Sequence, residues 1–333
     1  MEIIDLLNAL PGAVAQGLIW GIMAIGVYIT YKVLDVADLT VDGTMCTGGA
    51  VCAVMMMAGC NVWVSMICAL LAGALAGLVT GIFHVSMGIP AILAGILSQL
   101  ALYSINLKII GKANVSLPSQ MYDVIVAMKY NKGVPINKNT IFIVGIFTIV
   151  IIAILYWFFG TALGCSLRAT GSNPNMSRAQ GINTKVNIVI GLMISNALVA
   201  LASALYTQYQ GFADINMGRG AIVIGLAAVI IGNVIFGKIF KNFALKLLSV
   251  SLGAILYYIV LQVVIWMGFD TDLLKLLSAI VVAIFLAVPY IKKEYVPALL
   301  SMKKRTEIVR HNKAVMNERR ASENGDLGKG GAK

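Results

Sequence analysis

Charge is scarce in this chain. Only 12% of its 333 residues are Asp, Glu, Lys or Arg, against 59% hydrophobic residues, and histidine is reduced to two. Those two, His84 and His311, lie far from the five cysteines, and no cysteine pair is spaced Cys-x-x-Cys. A metal site or a disulfide framework therefore has no sequence support. Cys46, Cys52, Cys60, Cys68 and Cys165 read as small hydrophobes in or beside apolar runs. There is no Gly-x-x-x-x-Gly-Lys-Ser/Thr phosphate loop, no His-Glu-x-x-His and no Ser-centred elbow with a histidine partner. No catalytic residue and no metal is expected, and the chain itself is not expected to hydrolyse ATP. The opening Met1-Glu-Ile-Ile-Asp5 lacks the basic stretch of a cleavable signal peptide, so the first apolar span is expected to direct insertion.

What is abundant is uninterrupted hydrophobicity. A bilayer core is about 30 Å thick and takes about 20 apolar residues as helix. Several runs reach that length, and they are continuous rather than alternating, which selects helices over a closed barrel. The expected fold is all-α, a polytopic membrane protein with about nine transmembrane helices (8–10). They are placed near 9–31, 40–59, 63–86, 89–107, 140–160, 187–208, 219–236, 247–268 and 273–290, the second and seventh being candidates for broken or re-entrant spans. One membrane domain over 1–290 and a basic tail over 291–333 account for the whole length.

Lys and Arg in short loops stay on the cytoplasmic side. With the N-terminus outside, the inner loops hold Lys32, then Arg168, Arg178 and Lys185, then Lys238, Lys241 and Lys246. The tail falls inside too, with eleven Lys and Arg against five Asp and Glu, a net +6 of the chain's +11. One outward loop, 108–139, resists with five lysines, but the opposite orientation would expose the more basic tail. Because topology already explains the positive charge, no nucleic-acid partner is expected. The first half of the tail is expected to lie on anionic membrane lipid, and its last dozen residues to be disordered.

Three patterns carry chemistry. Gly73, Gly77 and Gly81 line one face of the third span and permit close helix approach; packing within the subunit is the simpler reading and a subunit seam the alternative. In Asp35-Val-Ala-Asp-Leu-Thr-Val-Asp-Gly43, carboxylates enter an apolar segment, and Asp38 and Asp42 are four apart, hence on one helical face. Either Asp38 is an N-cap with Asp42 in the first turn, or these residues line a water-filled path; the two are compatible. Candidate path residues are Asp38, Thr40, Asp42, Asn196 and Gln208, the last two from a polar series that also includes Ser195, Ser203 and Thr207. An irregular turn at Gly211–Gly220 is a second candidate lining.

The third pattern is a polar loop, 161–186, between long apolar spans. Two short helix-like pieces are broken by Gly171 and Pro174 and closed by Gly181. Leu167-Arg-Ala-Thr-Gly-Ser-Asn-Pro-Asn-Met-Ser-Arg-Ala-Gln-Gly-Ile-Asn183 resembles the cytoplasmic loop of ABC importer permeases of the branched-chain amino acid/ribose superfamily. Asp38-Leu-Thr-Val-Asp-Gly43 resembles the Asp-Leu-Ser-Val-Gly of sugar-type members. Pro11-Gly-Ala-Val-Ala-Gln-Gly-Leu-Ile-Trp-Gly21 and Gly48-Gly-Ala-Val51 extend the likeness to the tryptophan/tyrosine-type subgroup, over about 9–290.

The resemblance implies a type II importer-like permease in a bacterial cell membrane, N-terminus outside and C-terminus cytoplasmic. It implies that 167–183 forms the coupling helix, with Leu167, Arg168, Gly171, Asn173, Pro174, Arg178 and Gly181 as coupling residues toward a separate ABC ATPase subunit. ATP would reside on that partner, with no cofactor bound here. The other implied partners are an extracellular substrate-binding (lipo)protein and a second permease subunit in a homodimer. Met176-Ser177 departs from the family's commoner Ala-Ala. The expected cargo is a small solute, an amino acid and by subgroup an aromatic one; a sugar or nucleoside importer is the near alternative. A secondary transporter would call for paired inverted repeats, and none is evident.

Overall fold

The apolar runs become helices because a chain without water must satisfy its own backbone hydrogen bonds. Helix α1 spans Ile3–Tyr28 and passes into a π-helical turn, Ile29–Val33. The next six residues are not helical, and Asp35 adopts a left-handed φ of 56°. Helix α2 then runs Thr40–Met57, α3 Val62–Val85 and α4 Ala91–Ile110. Strand β1, Asn114–Ser116, leads toward α5, Thr140–Gly160. Two short helices follow, α6 (Ala162–Ser172) and α7 (Pro174–Ala179), then the long α8, Thr184–Gln210. Strand β2 (Phe212–Asp214), α9 (Ala221–Phe236), α10 (Phe243–Trp266) and the short α11 (Leu276–Phe285) complete the series.

This computed structural model describes residues 3–117, 122, 124–127, 139–268, 276–285 and 287. The expectations for Lys129, Lys132, Lys138, Asp123, Asp270, Asp272 and the tail over 291–333 lie outside the described residues. The chain divides into the units Met1–Val282 and Ala283–Lys333, and the account below concerns the first.

Among the described residues, seven helices are long and apolar enough to cross a membrane: α1 with its π turn, α2, α3, α4, α5, α8 and α10. Two more apolar helices, α9 and α11, are shorter. The expected fifth span, 140–160, coincides with α5. The second, expected over 40–59, starts at Thr40 as α2 and ends two residues early at Met57, and the seventh is the short α9.

Helix α8 is the spine, 72% buried over its apolar window, whereas α5 is 22% buried and peripheral. The glycine ladder of α3 packs against α8 within the subunit: a Cβ at Gly73 would overlap the Asn196 carbonyl, one at Gly77 the Leu192 carbonyl, and one at Gly81 would press on Val189. Hydrogen side chains let two backbones meet, and dispersion then holds them where lipid supplies no hydrophobic drive.

One departure from the all-α expectation is a small ribbon. Strands β1 and β2 pair antiparallel, Asn114 opposite Asp214 and Ser116 opposite Phe212, extended by Leu117 N donating to Gly211 O at 2.7 Å and Ile215 N to Ala113 O at 3.0 Å. It closes the end of the bundle opposite α6 and α7.

Candidate functional site

The 161–186 loop folds as two short helices, and the break between them falls at Asn173, not at Gly171. Asn173 is extended (φ −155°, ψ 94°), and its side chain accepts from Met176 N at 3.0 Å while Pro174 occupies the first helical position. That is a stiff start for a six-residue helix, since the proline lacks only an N–H that would be unpaired anyway. Gly181, at φ 78°, ends it as expected. Ser172 is the last residue of α6, with its hydroxyl donating to Ala169 O.

Gly171 has a different task from the one its spacing suggests. It is helical, and a Cβ there would overlap the carbonyl oxygen of Val33 and come within 2.8 Å of Leu34 Cα. Helix α6 is thus seated directly on the end of the π turn. Leu167 is fully buried and anchors α6 rather than reaching outward. Thr170 and Asn187 lock α6 to α8: Asn187 Nδ2 donates to Thr170 Oγ1 at 2.9 Å, and Ser166 Oγ donates to Asn187 Oδ1 at 3.3 Å.

Both arginines are partly engaged within the chain. Arg168 Nη2 donates to Phe159 O at 2.9 Å, and its guanidinium lies 5.8 Å from the Phe243 ring centroid. Arg178 Nε donates to Thr184 Oγ1 at 3.0 Å. What remains exposed is one rigid ridge: Asn173, Pro174, Asn175, Met176, Arg178 and Gly181.

Asp38 forms a buried polar node on the other side of that seat. Asp38 is 3% exposed; its Oδ1 accepts from Thr40 N at 2.9 Å and its Oδ2 from Asn196 Nδ2 at 2.7 Å. Asn196 Oδ1 in turn accepts from Thr44 Oγ1 at 2.7 Å. Asn196 lies about 18 Å along α8 from Thr184, well inside the bundle. Thr40 Oγ1 meets Thr80 Oγ1 at 2.8 Å, and Thr80 donates to Ser98 Oγ at 2.7 Å.

Two expectations need correction. The N-cap residue of α2 is Leu39, and Asp38, one residue earlier, supplies the capping oxygen. Because Asp38 precedes the helix, it does not share a helical face with Asp42. Asp42 instead turns to α9: its Oδ2 accepts from Gly220 N at 3.0 Å and its Oδ1 from Ile222 N at 2.9 Å. A carboxylate at another helix's N-terminus satisfies orphan donors and matches the dipole. The Gly211–Gly220 turn approaches α2 for this purpose, and a Cβ at Gly218 would overlap the Asp42 carbonyl.

Asp38, Thr40 and Asn196 therefore meet, Asp42 points elsewhere, and Gln208 is remote. Gln208 lies about 18 Å further along α8. There its Oε1 accepts from Ile125 N at 3.1 Å and its Nε2 faces Cys52 Sγ at 3.8 Å. The rest of the polar series also splits between neighbours: Ser195 donates to Gly26 O at 2.8 Å and Ser203 to Met45 O. Sequence reasoning overlooked Thr44, Thr80, Ser98 and Asn187. The available signal was a lone polar side chain inside an apolar helix, which does not name its partner. The node joins α2, α3, α4 and α8 mechanically and engages both oxygens of Asp38. Among the described residues no cluster of three or more metal-binding side chains occurs.

Residues 10–288 match the family described as branched-chain amino acid transport system / permease component. The chain belongs to that permease family and is a multi-pass protein of the bacterial plasma membrane. It is 37% identical over 281 residues to a tyrosine transport system permease protein of Clostridioides difficile (strain R20291), covering 84% of this chain and 91% of that one. It is 36% identical over 290 residues to an uncharacterized protein, RP368, of Rickettsia prowazekii (strain Madrid E), covering 86% and 99%. The autoinducer 2 import system permease protein LsrC of Escherichia coli O9:H4 (strain HS) is 27% identical over 223 residues, covering 66% and 61%. No solved structure matches.

Proposed function

We propose that this chain is the membrane subunit of an ATP-driven importer, with α6 and α7 as the element on which a separate ATPase subunit acts. The observation that carries this reading is the seat of Gly171 on Val33 and Leu34. Leu34 begins the non-helical stretch 34–39 that contains Asp38, and its side chain also fills the gap left by Gly191 of α8. A push on the exposed ridge at Asn173–Gly181 would reach the Asp38–Asn196 node within a few residues of rigid contact. Rigid-body displacement passed through packed elements is how such transporters alternate access.

In this reading the N-terminus is outside, α6 and α7 face the cytoplasm, and the short α9 and α11 complete nine passes. ATP stays on the partner, a second copy completes the path, and an external binding protein delivers the solute. The name of the Clostridioides difficile relative favours an amino acid with an aromatic side chain; a sugar or nucleoside is the alternative cargo.

Gly171→Ala tests the coupling. The added methyl must push α6 off the π turn, so uptake into vesicles holding the ATPase and binding protein should fall about tenfold while ATP hydrolysis continues. Unchanged, fully coupled uptake by this variant would sink the assignment.

A further inference from the structure

At the end of the bundle that carries α6 and α7 there is a cavity of about 890 Å³, large enough for a small-molecule group. Four cations line it: Lys32 from the π turn, Arg168 from α6, and Lys241 and Lys246 around the start of α10. No acidic side chain is among the described residues lining it. Like charges gathered around one space, with nothing of opposite sign, repel each other until an anion enters.

The cavity's level in the membrane identifies the anion. Its walls are helix ends: the last turn of α1, the last turn of α5, and the first turn of α10. Tyr156 and Trp157 of α5 form the rim and are 49% and 73% exposed. Such half-apolar rings mark the headgroup level of a bilayer. From that rim, α5 continues as an exposed apolar strip through Ile154, Val150 and Ile149. A free phosphate would use the cations and ignore the strip; a phospholipid would use both.

We infer that this cavity binds the phosphate headgroup of one anionic glycerophospholipid, with its acyl chains along the exposed face of α5. Basic pockets between helix ends are a recurring form of lipid recognition. Arg168 is already oriented by Phe159 O and by the Phe243 ring, so part of the site is arranged before the lipid arrives. Lys32, Lys241 and Lys246 are exposed and free to close on the headgroup. The inference stands apart from the importer reading, since lipid retention needs neither ATP nor a solute.

The test is native mass spectrometry of the full chain released from nanodiscs containing phosphatidylglycerol and phosphatidylcholine in equal amounts. One phosphatidylglycerol should stay bound in preference to phosphatidylcholine. The triple variant Lys32→Gln, Lys241→Gln, Lys246→Gln should lower that retention by about tenfold. The Arg counterparts at the same positions should restore it, and Lys185→Gln with Lys238→Gln, cations outside the cavity, should leave it unchanged. Equal retention of both lipids, or full retention by the triple Gln variant, would overturn the inference. So would displacement of the lipid by millimolar inorganic phosphate, which would mark a soluble-anion site. Loss of a co-purifying protein from the triple variant with lipid retention unchanged would assign the cations to a protein partner instead.

Discussion

Both oxygens of Asp38 are engaged, one by the Thr40 backbone and one by the Asn196 amide, and Asn196 is itself fixed by Thr44 and by the Leu192 carbonyl. Replacing one partner leaves a buried polar group unpaired at about 1–3 kcal/mol. Asp38→Asn sets an amide N–H against either the Thr40 N–H or the Asn196 amide, and Asn196→Asp sets two carboxylates together. Each single change is expected to lower thermal stability in nanodiscs. The exchange of both, Asp38→Asn with Asn196→Asp, restores donor facing acceptor and should recover much of the loss. A double variant no more stable than the worse single one would show that the node's energy lies elsewhere. A carboxylate in an apolar run announces itself in a sequence, which is why Asp38 was legible. Its partner was not, because 158 positions separate Asp38 from Asn196 and only the packing of α2 on α8 joins them.

At the scale of elements, the α3–α8 seam depends on absent side chains. Gly77→Val should destabilise the protein severely, since its Cβ would overlap the Leu192 backbone. Gly145→Ala in peripheral α5 meets nothing within 4 Å and should be neutral or stabilising by up to about 1 kcal/mol. Thermal unfolding of both variants checks the pair; similar melting points would mean that the seam is not a close contact. Most helices were readable because run length and flanking caps act locally: Asn139 and Asn61 cap α5 and α3 through their own side chains. The non-helical 34–39 stretch was not, since Leu34-Asp-Val-Ala-Asp-Leu39 offers no proline or glycine to break a helix. Its conformation comes from what surrounds it: α6 below, Gly95 of α4 against Leu39, and the carboxylate drawn to Asn196. The β1–β2 ribbon was equally hidden, because three-residue strands paired across the whole of α5 to α8 have no local signature. The polar loop at 161–186 was visible as an anomaly, whereas Gly171's contact with Val33 required the folded chain.

For the whole molecule, the distribution of Lys and Arg favours the proposed orientation, with α6 and α7 cytoplasmic, and thiol labelling can test it. Cys60 is exposed in the turn between α2 and α3, and Cys165 is exposed in α6 at the opposite end. In intact cells, a variant retaining only Cys60 should react with a membrane-impermeant maleimide. A variant retaining only Cys165 should react only after permeabilisation. The reverse pattern would invert the molecule and detach the ridge from any cytoplasmic ATPase.

The small ribbon has a kinematic meaning for that whole. Its backbone ladder rivets the far end of α4 to the far end of α8, with Asn114 opposite Asp214 and two further bonds beyond. Two rods pinned at one end can spread only at the other, like the legs of a compass. If α6 is the coupling element proposed above, displacement entering there would swing α4 and α8 about that pin, with the separation growing toward the end that carries α6 and α7.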